Sequence, residues 1–122
     1  MEYLIKAKEN LRIALLSFEQ ECYNACANRA YFAVFQAAVA ALLHNGITRG
    51  RYDHKWVQSE FNEKMIKRRK VYPGRIKPYL MEMQTIRNIA DYEHHTVSKK
   101  DAADQLLKAQ EMIGLTEKEI EQ

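Results

Sequence analysis

At 122 residues the chain can bury one hydrophobic core and is too short for two ordinary domains. Four glycines and two prolines leave few breakers among abundant Ala, Leu, Glu, Lys and Gln, which argues against a strand-dominated fold and for an all-α one. A net charge of +3, from 19 Lys and Arg against 16 Asp and Glu, is too small by itself to indicate a nucleic-acid partner, so the distribution of charge matters more than its total.

The opening "MEYLIKAKENL" carries Glu2, Lys6, Lys8 and Glu9 among its apolar residues, so an export signal is not expected and a cytoplasmic location is. From Glu2 to about Glu19, Leu4, Leu11, Leu15 and Phe18 fall on one stripe of an amphipathic helix. A second helix is predicted from about Tyr23 to His44. One of its apolar lines is Tyr23, Ala27, Ala30, Val34, Ala37 and Ala41, and the other is Phe32, Phe35, Val39 and Leu42, so it should be central. Its alanines let neighbouring helices approach closely. The run "AYFAVFQAAVAALL", Ala30 to Leu43, is interrupted by Gln36 and falls short of the roughly 18 to 20 residues needed to span a bilayer, so no membrane association is expected. Asn45 and Gly46 end the helix, with Gly46 as a left-handed cap.

Cys22 and Cys26 stand four apart at the start of this helix, where an intact turn orients the thiols poorly for a disulfide. A metal would need further ligands from distant His44, His54 or His94, so free thiols and no metal or cofactor are expected.

After the loop "ITRGRYD", Asp53 can cap a third helix from His54 to about Arg69, with Val57, Phe61 and Met65 inward and Trp56 beside them. His54 reads as a first-turn residue with a local hydrogen bond. No acidic residue falls between Glu63 and Glu82, and that stretch holds Lys64, Lys67, Arg68, Arg69, Lys70, Arg75 and Lys77. Lys67, Arg68, Arg69 and Lys70 are candidate contacts to an RNA backbone or an acidic partner, while a solvated face is the simpler account of the run.

"VYPGRIKP" reads as a turn, with Gly74 supplying backbone freedom. A fourth helix follows on the stripe Ile76, Leu80, Met83, Ile86 or Arg87, and Ala90, with "RNIADYEHH", Arg87 to His95, as its C-terminal half. Ser98 and Asp101 resemble a capping box and open a last helix through Ala102, Leu106, Ala109, Ile113 and Ile120, in which Gly114 could kink or fray the end. Four to five helices with short connections predict an up-and-down antiparallel bundle, with residues 1–122 as one domain.

If "RNIADYEHH" is helical, Arg87 and His94 share a face about 10 Å apart along the axis, with Asp91 between them, and His95 is turned away by about 100°. Arginine offers a charged planar fork that fits phosphate, and histidine moves protons near neutrality. Together they suit metal-independent RNA cleavage, in which a base activates a ribose 2′-hydroxyl against the adjacent phosphate and a cation stabilises the developing charge. The simpler account is an exposed, ion-paired helix face. Arg29, among apolar residues of the second helix, is expected to form a structural ion pair, Asp91 being one candidate partner. Tyr31 and Tyr92 are expected as core or interface aromatics rather than base-stacking platforms.

Over nearly its full length the chain resembles the HEPN family of small helical proteins. The resemblance rests on "ACANRAYFAVFQAAVAALLHNG", with its Asn28 to Ala33 step, on His54, Val57 and Phe61, and on "RNIADYEHH" followed by "VSKKDAADQLLKAQEMI". The family's signature is an arginine followed after four to six residues by a histidine, and Arg87, six intervening residues and His94 match it. The resemblance implies a homodimer whose cleft carries Arg87 to bind phosphate and His94 as acid or base, with Asp91, Tyr92 and Arg29 in support. It also implies a metal-independent endoribonuclease toxin paired with a minimal nucleotidyltransferase antitoxin, or else a non-catalytic module binding that partner or a nucleotide. Asn88 matches the polar residue that some toxins carry after the arginine. Thr96 stands where those toxins have a tyrosine that the partner modifies, and "RNIADY" resembles the branch with an Arg-Ala-Asp-Tyr pattern.

Overall fold

The computed structural model describes residues 2–92 and 94–121. Five helices carry the fold, and no strand occurs among the described residues: α1 (Glu2–Glu19), α2 (Tyr23–His44), α3 (His54–Glu60), α4 (Tyr79–Tyr92) and α5 (Lys99–Ile120). The expected all-α bundle is present. α3 runs on as a π-helical stretch, Phe61–Arg68, and a 3-10 turn, Gly74–Ile76, precedes α4.

α2 is central because its alanines let three helices close on it. It packs against α1, α4 and α5, with Ala27, Ala30, Ala33, Ala37, Ala38, Ala40 and Ala41 all buried. By length and composition α2 could cross a membrane, contrary to the count over Ala30 to Leu43 alone. Most of its apolar window is nevertheless buried inside the bundle, as in a core helix. On α1 the stripe is only partly inward: Leu4 is buried and Leu11 and Phe18 are partly so, but Leu15 turns outward with Ile5, Ile13 and Leu16.

The caps follow from local chemistry. Asp53 accepts from the Trp56 amide at 2.9 Å, and Ser98 accepts from the Asp101 amide at 3.0 Å. At the end of α2, Gly46 sits at φ +76°, and the amides of Gly46 and Ile47 reach back to the carbonyls of Leu43 and Leu42 at 3.0 and 2.9 Å. The end of α1 has the same hydrogen-bond pattern without a glycine. Glu21 takes φ 61°, while Glu21 and Cys22 donate to Phe18 and Ser17.

Three local expectations need correction. The positive φ after the basic run falls on Lys70, at 53°, and Gly74 opens the 3-10 turn. α5 passes through Gly114 as helix and ends at Ile120. Most consequential, α4 stops at Tyr92, so His94 and His95 lie in a bend rather than on the helix. The chain must leave the helix there because Val97 is buried, with its amide held by the Asn24 side chain at 2.8 Å, and because Ser98 must be extended to cap α5.

Candidate functional site

Arg87 and Asp91 occupy one face of the last turns of α4, where four-residue spacing makes them neighbours. The Arg87 Nε donates to Asp91 Oδ2 at 3.0 Å, and the two side chains are 16% and 23% exposed. Nη2 of Arg87 donates to the Tyr92 hydroxyl at 3.4 Å. The guanidinium carbon lies 4.9 Å from the centre of the Phe32 ring and 5.8 Å from those of Tyr31 and Tyr92. Arg87 is thus a cation seated on aromatic faces, which favours the charged group where water is thinned.

Asp91 is shared with α2. The Asn28 amide donates to both of its carboxylate oxygens, at 3.2 and 2.9 Å, and Asn28 Oδ1 accepts from Arg29 Nε at 2.8 Å. Arg29 Nη1 donates to Asn10 Oδ1 at 3.2 Å, and Asn10 Nδ2 donates to Gln36 Oε1 at 2.7 Å. The expected ion pair of Arg29 is therefore replaced by two amide oxygens and a stack on Phe32 at 5.6 Å. Asn28 reaches Asp91 first, and a charge-assisted hydrogen bond through an amide satisfies a half-buried guanidinium without bringing a second carboxylate in.

His54, the first residue of α3, borders the same aromatic cluster. Its Nδ1 is hydrogen-bonded to the hydroxyl of Tyr31, not to a local group as expected, and its ring packs tilted against Phe35 with centres 4.8 Å apart. Burial, and after it the positive charge of Arg87, hold its pKa below the ordinary value, while Asp53 opposes them. Burial likewise pushes the Tyr31 phenol up, against a smaller opposing effect of Arg87.

His94 and His95 are exposed and have no hydrogen bond or ion pair to the described residues. Helical phase consequently gives no reason to pair His94 with Arg87. Of the expected aromatics, Tyr31 is core at 1% exposed and Tyr92 is a surface residue at 73%. A hollow of about 500 Å³ opens between the start of α2 and Thr96–Val97, away from the Arg87 cluster, and it holds no group of like chemistry.

All four candidate basic contacts are exposed. Lys67 lies 3.9 Å from Glu63, and Arg69 donates to Asn45 Oδ1 at 3.0 Å; Arg68 and Lys70 have no ion pair among the described residues. The run sits at the far end of the helical segment that His54 opens, beyond α3 and most of the π-helical stretch. It is a patch separate from the Arg87 cluster.

Asn10, Asn28 and the role of His54 were missed in the sequence. Asn28 with Tyr31 and Phe32 at i, i+3 and i+4 shares one face with the cluster, and that spacing was the available signal. The partnership of His54 and Tyr31 spans 23 residues and has no local signature.

An all-α bundle with a central alanine-rich helix, and an arginine presented by the helix beside it, defines a small helical-bundle domain. The chain belongs to the HEPN domain family, whose sequence profile matches residues 1–120. No curated protein matches it.

Proposed function

We propose that this protein is a metal-independent endoribonuclease, the toxin of a cytoplasmic pair with a minimal nucleotidyltransferase antitoxin, and that it acts as a homodimer. One observation carries the ribonuclease reading: Arg87 is fixed by Asp91 and three aromatic rings, yet its Nη1 has no partner among the described residues and its side chain keeps some exposure. That is the arrangement required of a phosphate-binding cation. Arg87 binds the scissile phosphate, and His94, exposed on the bend after α4, carries the proton as acid or base. The homodimer is supported by the outward face of α4, where Met81, Thr85, Asn88 and Tyr92 form one exposed stripe beside the site. Lys67, Arg68, Arg69 and Lys70 extend contact along the RNA backbone.

The test is cleavage of RNA in the presence of a chelator. Wild type cleaves, and Arg87→Ala or His94→Ala lowers the rate at least about 100-fold, the scale of a lost charge stabiliser or proton carrier. Equal rates for all three proteins would overturn the assignment.

A second reading has its own observation. His94 has no hydrogen-bonded support among the described residues, whereas proton carriers are ordinarily oriented by a partner. On that reading the chain is a non-catalytic module binding the nucleotidyltransferase or a nucleotide, and the same substitutions weaken binding in a protein without nuclease activity.

A further inference from the structure

We propose that His54 completes the Arg87 site as a neutral hydrogen-bond donor, its Nε2–H and the Nη1 of Arg87 holding one phosphate group between them. This rests on the reading above only in taking the anion to be a phosphate.

The tautomer follows from Tyr31. Its hydroxyl is buried, and the Nδ1 of His54 is its one hydrogen-bond partner among the described residues. A buried phenol proton requires an acceptor, so Tyr31 donates into the Nδ1 lone pair and the imidazole proton resides on Nε2. The other tautomer would leave the hydroxyl proton without an acceptor in a dry site. Nε2 has no partner among the described residues, and His54 is only partly buried.

The two donors share a floor. The His54 ring is 6.5 Å from Phe32 and 5.4 Å from Tyr31, the same two rings on which the Arg87 guanidinium rests. The charged and polar groups facing His54 are Tyr31 from α2, Arg87 from α4 and Asp53 at the cap of α3. Of these only Asp53 favours the imidazolium. An imidazole whose charged form is disfavoured by burial and a neighbouring cation binds an anion through its N–H, so it positions phosphate and leaves proton transfer to another group.

The experiment uses the full chain and two probes that it cannot cleave by attack of a 2′-hydroxyl: a 2′-O-methyl oligoribonucleotide and ATP. Arg87→Ala and His54→Ala each weaken binding of the preferred probe by about fivefold or more, while His54→Gln, which keeps an N–H donor near the Nε2 position, stays close to wild type. Preference for the oligonucleotide identifies a phosphodiester ligand, and preference for ATP a mononucleotide. In the wild type, ¹⁵N spectra of His54 at about pH 8 show the neutral ring with its proton on Nε2, and that resonance moves when the probe is added. A proton on Nδ1, binding indifferent to His54→Ala, or no binding of either probe would overturn the proposal; the spectra decide it if the variants fail to fold. Absence of RNA cleavage with His54-dependent binding intact would overturn the ribonuclease assignment and leave the donor pair standing.

Discussion

The side-chain amide of Asn28 donates to both carboxylate oxygens of Asp91, at 3.2 and 2.9 Å, and so ties the start of α2 to the last turn of α4. Asp91 in turn holds Arg87, which makes Asn28 a determinant of where the guanidinium points. Asn28→Ala should therefore lower stability by about 1–2 kcal/mol, the cost of removing hydrogen bonds to a half-buried charge. Asn28→Asp, which sets a second carboxylate against Asp91, should cost more. Urea unfolding of the three proteins checks the order, and an Asn28→Asp protein as stable as wild type would show that α2 and α4 are not joined here.

Two helix ends share one hydrogen-bond pattern but differ in the residue at the left-handed position, Gly46 after α2 and Glu21 after α1. A side chain costs roughly 1 kcal/mol in that backbone region. Gly46→Ala should then destabilise by about 1 kcal/mol even though an added Cβ meets nothing within 4 Å, because the penalty is conformational. Glu21→Gly should stabilise by a similar or smaller amount, since glycine also gains freedom in the unfolded chain. Shifts of opposite sign in thermal midpoint are the expected result.

That pair also shows what could be read from the residues alone. The ends announced by Asp53, Ser98 and Gly46 were legible because each has local chemistry that permits little else. The stop of α1 near Glu19 followed from the length of its apolar stripe, but the left-handed Glu21 that closes it did not, since no glycine signals it. The end of α4 was hidden more deeply: apolar and charged spacing runs on into His94, and what breaks the helix is the burial of Val97 and its bond to Asn24, 73 residues away. Arg87 with Asp91 was legible as a four-residue pair. Asn28, Asn10 and the His54–Tyr31 contact were not, because each acquires its role only when distant helices meet.

The two thiols should react very differently. Cys22 is exposed, whereas Cys26 is buried, lies 3.8 Å from the Ala102 carbonyl, and is pushed up to about 11 by burial. The thiolate is the reactive form, so at neutral pH Cys26 offers very little of it. An aromatic disulfide reagent should modify one thiol per chain quickly and the second only as the protein unfolds. Cys22→Ser should remove the fast phase, and a fast phase surviving that change would show Cys26 to be accessible.

At the opposite end of α4, Glu111 of α5 accepts from the Tyr79 hydroxyl and from Arg75, fastening the 3-10 turn and the start of α4 onto α5. The Tyr79 hydrogen bond foremost, with Arg75 adding to it, outweighs burial and holds the Glu111 carboxyl below its ordinary 4.5. A folded pKa below the unfolded one favours the folded state fully above the unfolded value, and that contribution is lost as pH falls through the lowered one. Glu111→Gln should thus be less stable than wild type near pH 7, by about 1 kcal/mol for a partly exposed charged contact. The difference should shrink as pH falls through the ordinary carboxylate range and on through the lowered native pKa. Urea midpoints of both proteins across that range measure the convergence, and a constant gap would mean that Glu111 keeps an ordinary pKa despite its two donors.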